Sequence, residues 1–191
     1  MLIYADAVRH EDAAAVLARL RRSLRELALL PPGLERHARL VGALIEAGEF
    51  AQGLADAQHG TADAAMSLVR TLAGCCARSW DSDFEMDGCV PAATLAACAD
   101  RLPQEPIELK RPEGYAYYAL YPESYLEAAR QLHASSWQVF GIRSIGTSLA
   151  AMAAAGLGAP CPRTVRPSGH PFARRLAADA SAIDMHAAAF A

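Results

Sequence analysis

The residues best suited to chemistry fall in one run, Gly141-Ile142-Arg143-Ser144-Ile145-Gly146-Thr147-Ser148. The apolar residues Trp137 to Ile142 read as a short strand, and Ile145 to Leu157 as a small-residue helix closed by Gly156 and Gly158. A strand that hands over directly to a helix leaves unpaired backbone N–H groups at the helix start, where the helix dipole also favours negative charge. That chemistry is anion binding. Gly141 and Gly146 would permit positive φ and a close ligand approach, Ser144, Thr147 and Ser148 offer hydroxyls, and Arg143 supplies a fixed cation. Arg143, Ser144, Ile145, Gly146 and Thr147 are therefore the expected phosphate-binding set. The alternative is an ordinary turn in which a hydroxyl caps the helix and Arg143 faces water. Neither Gly-x-x-x-x-Gly-Lys-Ser/Thr nor Gly-x-Gly-x-x-Gly is present.

Downstream, Arg166-Pro167-Ser168-Gly169-His170 and Arg174 could form a mobile loop whose Arg166, His170 and Arg174 close over the same ligand. The remaining candidates are weaker. Cys75, Cys76, Cys89 and Cys98 include no Cys-x-x-Cys pair, so no metal site is expected and free thiols are. The acidic residues Asp81, Asp83, Glu85 and Asp87 lack the glutamate that ends a calcium loop, Ala92 standing in its place. His37, His59, His133 and His186 show no catalytic spacing and suit surface or helix-terminal positions. Gly-x-Ser-x-Gly is absent, and Ser144 has no evident triad partner.

Positioning the turn requires a sheet and helices around it. Apolar residues between Ala14 and Leu30 (Val16, Leu17, Leu20, Leu24, Leu27) recur at three- and four-residue spacing, predicting an amphipathic helix ended by Pro31-Pro32. A second helix is expected over Leu34 to Ala47 with Gly48 as its stop, and a third after an N-cap at Thr61, to about Ala77. Residues 1–80 thus read as a helical cap or oligomerisation region, 81–112 as an irregular linker holding a short helix near Pro91 to Arg101, and 113–191 as an α/β core. In that core Tyr115 to Tyr121 is strand-like, Pro122 to Leu132 helical and Arg163 to Arg166 a further strand, the alternation of parallel crossovers. The fold class is α/β, a helical N-terminal region followed by a partial parallel-sheet core.

A net charge of -3 and a pI near 6.1 supply no global basic field, which argues against duplex nucleic acid as partner. Lys110 is the only lysine among 18 basic residues, so the cations are planar forks suited to phosphate or carboxylate. No apolar window has membrane-spanning length. Five cysteines and a start without a signal-like apolar run point to a reducing, cytoplasmic setting.

The unit VFGIRSIGTSLAAMAAAGLGAP resembles the pyrophosphate-loop segment of type I phosphoribosyltransferases, in which a hydrophobic strand ends in a short glycine-containing loop and a small-residue helix follows. The flanks YAYYALY and RTVRPSGHPFARRL match the preceding unit and the strand into a mobile active-site loop, so the likeness spans about Glu113 to Leu176. It implies a phosphoribosyltransferase-like protein of nucleotide metabolism that binds pyrophosphate or a phosphorylated ribose, with phosphoribosyl pyrophosphate and Mg²⁺ as cofactors. The family's later strand, with an adjacent acidic pair and a Gly/Thr/Ser-rich phosphate loop, has no counterpart after Leu176, where Asp179 and Asp184 stand apart. The implied protein is inactive or incomplete as this chain alone, completed by a partner chain or a second copy. The alternative is a non-catalytic scaffold that assembles through its N-terminal helices. Because the ribose-phosphate cradle is missing, the purified chain is expected to show no phosphoribosyl transfer to common nucleobases. Mg²⁺-dependent turnover in a product assay would overturn that expectation.

Overall fold

The computed structural model describes residues 8–86, 91–99, 102–112, 114–115, 118–133, 136–170, 173–176 and 188–190. Its elements are β1 (Val8–Glu11), α1 (Ala13–Leu29), α2 (Leu34–Asp56), α3 (Ala62–Asp81), α4 (Ala92–Ala97), β2 (Ile107–Lys110), α5 (Pro122–Arg130), β3 (Gln138–Ile142), α6 (Gly146–Leu157), β4 (Arg163–Val165), β5 (Pro167–Ser168), β6 (Arg175–Leu176) and β7 (Ala188–Phe190). Asp12 starts α1 by accepting a hydrogen bond from the Ala15 N–H at 2.9 Å. Thr61 sits at the N-cap of α3, but its side chain makes no capping bond.

β3 is the middle strand of a three-stranded parallel sheet in the order β4-β3-β7. Trp137 to Ile142 therefore behaves as expected, with Val139 and Phe140 buried. Two further strand pairs are antiparallel: β1 with β2, Val8 opposite Lys110, and β5 with β6. β1 lies inside the stretch expected to be helical, and β2 inside the stretch expected to be irregular. Both are four-residue strands, too short for alternation to stand out.

Two expectations about elements need correction. The aromatic run Tyr115 to Tyr121 is no strand among its described residues: Tyr115 lies in a helical turn, Tyr118 in a bend, and Ala119 has a positive φ of 48°. Its side chains serve a loop; the Tyr115 hydroxyl bonds Ser148 Oγ at 2.8 Å, tying that loop to the start of α6. The second helix does not stop at Gly48 but continues to Asp56. Gly48 and Gly53 are there for close approach instead, because a Cβ at Gly53 would lie 2.9 Å from the Glu108 carbonyl oxygen and one at Gly48 would lie 3.2 Å from Ser148 Cβ. The absent side chains let α2 rest directly on β2 and α6.

α6 is the middle of the molecule. Ala151 and Met152 join the main core, with Leu20 and Leu24 of α1, Leu44 and Phe50 of α2, Leu68 and Leu72 of α3, and Leu126 of α5. Ala150, Ala153 and Ala154 pack with Val139 in a second cluster. A helix buried on both faces must be apolar all round, which accounts for its alanine-rich sequence. Gly158, in the left-handed conformation, closes it, and the Arg70 guanidinium of α3 donates to the carbonyls of Ala154 and Ala159 at 3.4 and 3.2 Å, a cation placed at the negative end of the helix. The α1 leucines Leu17, Leu20, Leu24 and Leu27 are buried, their apolar stripe covered within this chain.

Cysteine chemistry also departs from expectation. Cys76, Cys98 and Cys161 are free, but Cys75 is disulfide-bonded, and Cys89 lies outside the described residues. Burial pushes the Cys98 thiol up to about 11 and the Cys76 thiol further, so neither is a thiolate at neutral pH.

The tightest contact joins strand to helix. A Cβ at Gly141 would sit 2.0 Å from the Gly146 carbonyl oxygen and 2.9 Å from Ala150 Cβ. Neither Gly141 nor Gly146 has positive φ, so close approach, not backbone handedness, demands the glycine at 141. Gly141→Ala is expected to destabilise by about 3 kcal/mol or more, since backbone must move to admit the methyl group. Gly42→Ala, mid-helix with nothing within 4 Å, is expected to stabilise by about 0.5–1 kcal/mol. Urea unfolding of both variants checks the pair; a Gly141→Ala as stable as wild type would refute the contact.

Candidate anion site

The turn between β3 and α6 opens on a cleft of about 550 Å³. Five cations line it: Lys110 and Arg111 after β2, Arg143 in the turn, Arg166 after β4, and Arg174. Among the described residues no carboxylate lies on the same wall, whose apolar part comes from Val8, Leu120, Tyr125, Ile142, Ile145 and Leu149. Chain segments far apart in sequence converge here because β2, β3 and β4 all end at this face.

The arginines are held by one acid. Asp56, the last residue of α2, receives Arg166 Nε at 3.0 Å and Arg166 Nη2 in a two-pronged contact, and Arg143 Nε stands 3.2 Å from its Oδ1. Arg166 also donates to the Arg143 carbonyl at 3.2 Å, binding β4's end to the turn. The Gln52 amide donates to Asp56, and its oxygen accepts the Lys110 N–H at 3.1 Å, which links the acid to the end of β2. Burial pushes the Asp56 carboxyl up, but the Arg166 hydrogen bond and charge, with Arg143 beside it, outweigh this and hold it below its ordinary 3.8. Burial also lowers the Arg143 pKa, an effect Asp56 opposes and Arg166 reinforces. The two guanidiniums therefore share one negative charge and leave an excess of positive charge facing the cleft.

Of the expected phosphate-binding residues, Arg143, Ser144, Ile145 and Gly146 line this cleft. Thr147 does not: its side chain is buried, its Oγ1 has no hydrogen-bond partner, and its N–H already donates to the Ser144 carbonyl at 3.2 Å. Ser148 is engaged with Tyr115 and with the Ile145 carbonyl. Ile145 occupies the N-cap of α6 and provides no side-chain cap, so the first-turn N–H groups are not claimed by a cap. Arg166 and Arg174 line the same cleft as the turn, whereas His170 is exposed and is not among the cleft-lining residues. Sequence reasoning missed Asp56, Gln52, Lys110 and Arg111. A lysine found nowhere else, followed by an arginine at the end of a short apolar alternation, was the available signal for the last two.

A second polar cluster lies elsewhere. His37, expected at a surface or helix end, is buried, with Nδ1 3.0 Å from Ser79 Oγ and Nε2 2.9 Å from Glu123 Oε1. The order serine, histidine, acid resembles a catalytic triad. Ser79, however, is itself buried within α3 and lies off the wall of the neighbouring cavity, so the array fixes Glu123 instead of presenting a nucleophile.

No family model, curated protein or solved structure matches the chain. Function is therefore argued from the site itself.

Asp56→Asn would leave two half-buried guanidiniums facing each other without their counter-charge, and is expected to lower stability at pH 7 by about 1.5–3 kcal/mol. Because the folded-state pKa of Asp56 is depressed, its contribution is fully present above 3.8 and lost as pH falls through the lower folded value. The difference in melting temperature between wild type and Asp56→Asn should therefore shrink on acidification below about pH 4. Thermal melts followed by circular dichroism check this; a difference independent of pH would show that the charge of Asp56 is not what holds the arginines.

Proposed function

We propose that the chain binds a phosphorylated small molecule, pyrophosphate or a phosphorylated ribose, over the turn from Arg143 to Gly146. The observation that carries this reading is the convergence of Lys110, Arg111, Arg143, Arg166 and Arg174 on one cleft whose wall, among the described residues, has no acid. Planar guanidiniums meet phosphate oxygens in pairs, and the start of α6 adds partial positive charge behind them. The apolar patch from Leu120, Tyr125 and Ile142 suits the sugar or base side of such a ligand better than free inorganic phosphate.

The type I phosphoribosyltransferase likeness agrees with this placement at the pyrophosphate loop. In a complete member of that family, pyrophosphate leaves the anomeric carbon of the sugar with Mg²⁺ and the loops stabilising the developing charge. Among the described residues the cleft wall presents no carboxylate, and Asp56 is committed to two arginines, so the described groups fit a diphosphate but make no metal-ligand set. The proposed role is thus recognition of the phosphorylated ligand.

Arg143 is the central contact in this proposal. Arg143→Ala is expected to weaken pyrophosphate binding by roughly ten- to a hundred-fold, the equivalent of one charge-assisted contact of about 1.5–3 kcal/mol. Titration calorimetry of wild type and variant decides it. Equal affinities, or no binding by wild type at millimolar pyrophosphate, would reduce the turn to scaffold.

A further inference from the structure

A second cavity is larger than the basic cleft. A space of about 760 Å³ lies between the first turns of α2, the end of α3 and the start of α5, lined mainly by carbon from Leu34, Ala38, Val41, Trp80, Phe84 and Tyr121. Its size is that of a site for a whole small molecule. Trp80, Phe84 and His37 stack against one another at 4.8 to 6.0 Å between ring centroids, so the aromatic wall is built, not merely exposed. The Trp80 indole N–H donates to Glu127 Oε1 at 3.0 Å, which fixes the orientation of the ring.

Its polar groups are few. Among the described lining residues the acids are Glu123 and Glu127, His37 is hydrogen-bonded to Glu123, and there is no lysine or arginine. Glu123 is buried and held by His37, while Glu127 at the rim also meets Arg130 at 2.8 Å. Aromatic faces carry negative charge density and attract organic cations, the more so when a carboxylate stands behind them. This charge is opposite to that of the phosphate cleft. The two sites share α5 and the residue before it as a partition: Tyr121, Glu123, Ser124 and Glu127 face the aromatic cavity, and Tyr125 faces the cleft.

We propose that the cavity between α2, α3 and α5 is a binding site for a small organic cation, an ammonium group on an apolar or aromatic body, with the body against Trp80, Phe84 and Tyr121 and the ammonium directed to Glu123 and Glu127. The proposal is independent of the phosphate reading.

The test uses Trp80 as reporter in the full chain carrying Trp137→Phe, since the protein has 2 tryptophans. Phenethylammonium is titrated against phenylpropionate, which has the same ring with the opposite charge. Saturable quenching by the ammonium, with the carboxylate at least about tenfold weaker, is the expected result. Glu123→Gln should reduce affinity about tenfold. If that variant fails to fold, Glu127→Gln and Tyr121→Ala, both at more accessible positions, are each expected to weaken binding by roughly threefold or more. Equal affinity for both probes, or no saturable quenching up to about 10 mM, would overturn the proposal. So would sedimentation showing that a second copy of the chain covers Trp80 and excludes the amine.

Discussion

The backbone contact between Gly141 and Gly146 sets the distance at which α6 lies on β3, and most of the fold is arranged around the result. A helix seated that close to its own strand has no solvent face to spare. One side faces Val139, the other joins Leu126 of α5 and the leucines of α2 and α3 through Met152. The core of the N-terminal helices and the smaller one beside the parallel strands therefore meet across α6. The same contact fixes where the first turn of α6 points, and with it the position of Arg143.

Electrostatics then distributes what packing has placed. The molecule is slightly acidic as a whole, yet five of its 18 lysine and arginine residues gather on one wall. Such a gathering needs a counter-charge to survive without ligand, and Asp56 at the end of α2 provides it from behind. On the other side of α5 the charge pattern reverses, with carboxylates among aromatic rings. A nine-residue helix is enough to separate them.

How much of this was legible in the sequence follows from the range of the forces involved. Long periodic helices were readable because their signal is local: α1 runs from Ala13 to Leu29 against an expected Ala14 to Leu30. The strand at Trp137 to Ile142 and the turn after it were readable for the same reason. Aromatic β-propensity in Tyr115 to Tyr121 misled because no neighbouring strand is there to use it, and Tyr115 instead bonds Ser148. Gly48 misled because a glycine that stops a helix and one that lets a second helix approach look alike in one dimension. Asp56, Gln52 and Lys110 were invisible as site residues since the contacts of Asp56 with Arg143 and Arg166, and of Gln52 with Lys110, span dozens of residues, and Glu123 is 86 positions from His37.

Asp56 gives the cleft a built-in rival for any ligand. An incoming anion does not fill an idle pair of arginines; it takes part in an exchange in which a tethered carboxylate, already at contact distance, must give up some of its bonds. A tethered competitor acts at high effective concentration, so a singly charged carboxylate from solution gains little by replacing it. A phosphate or diphosphate, with more charge and more acceptor oxygens, comes out ahead. On the proposed reading, discrimination among anions resides in a residue that need not touch the ligand, at the end of a helix whose first turns line the aromatic cavity.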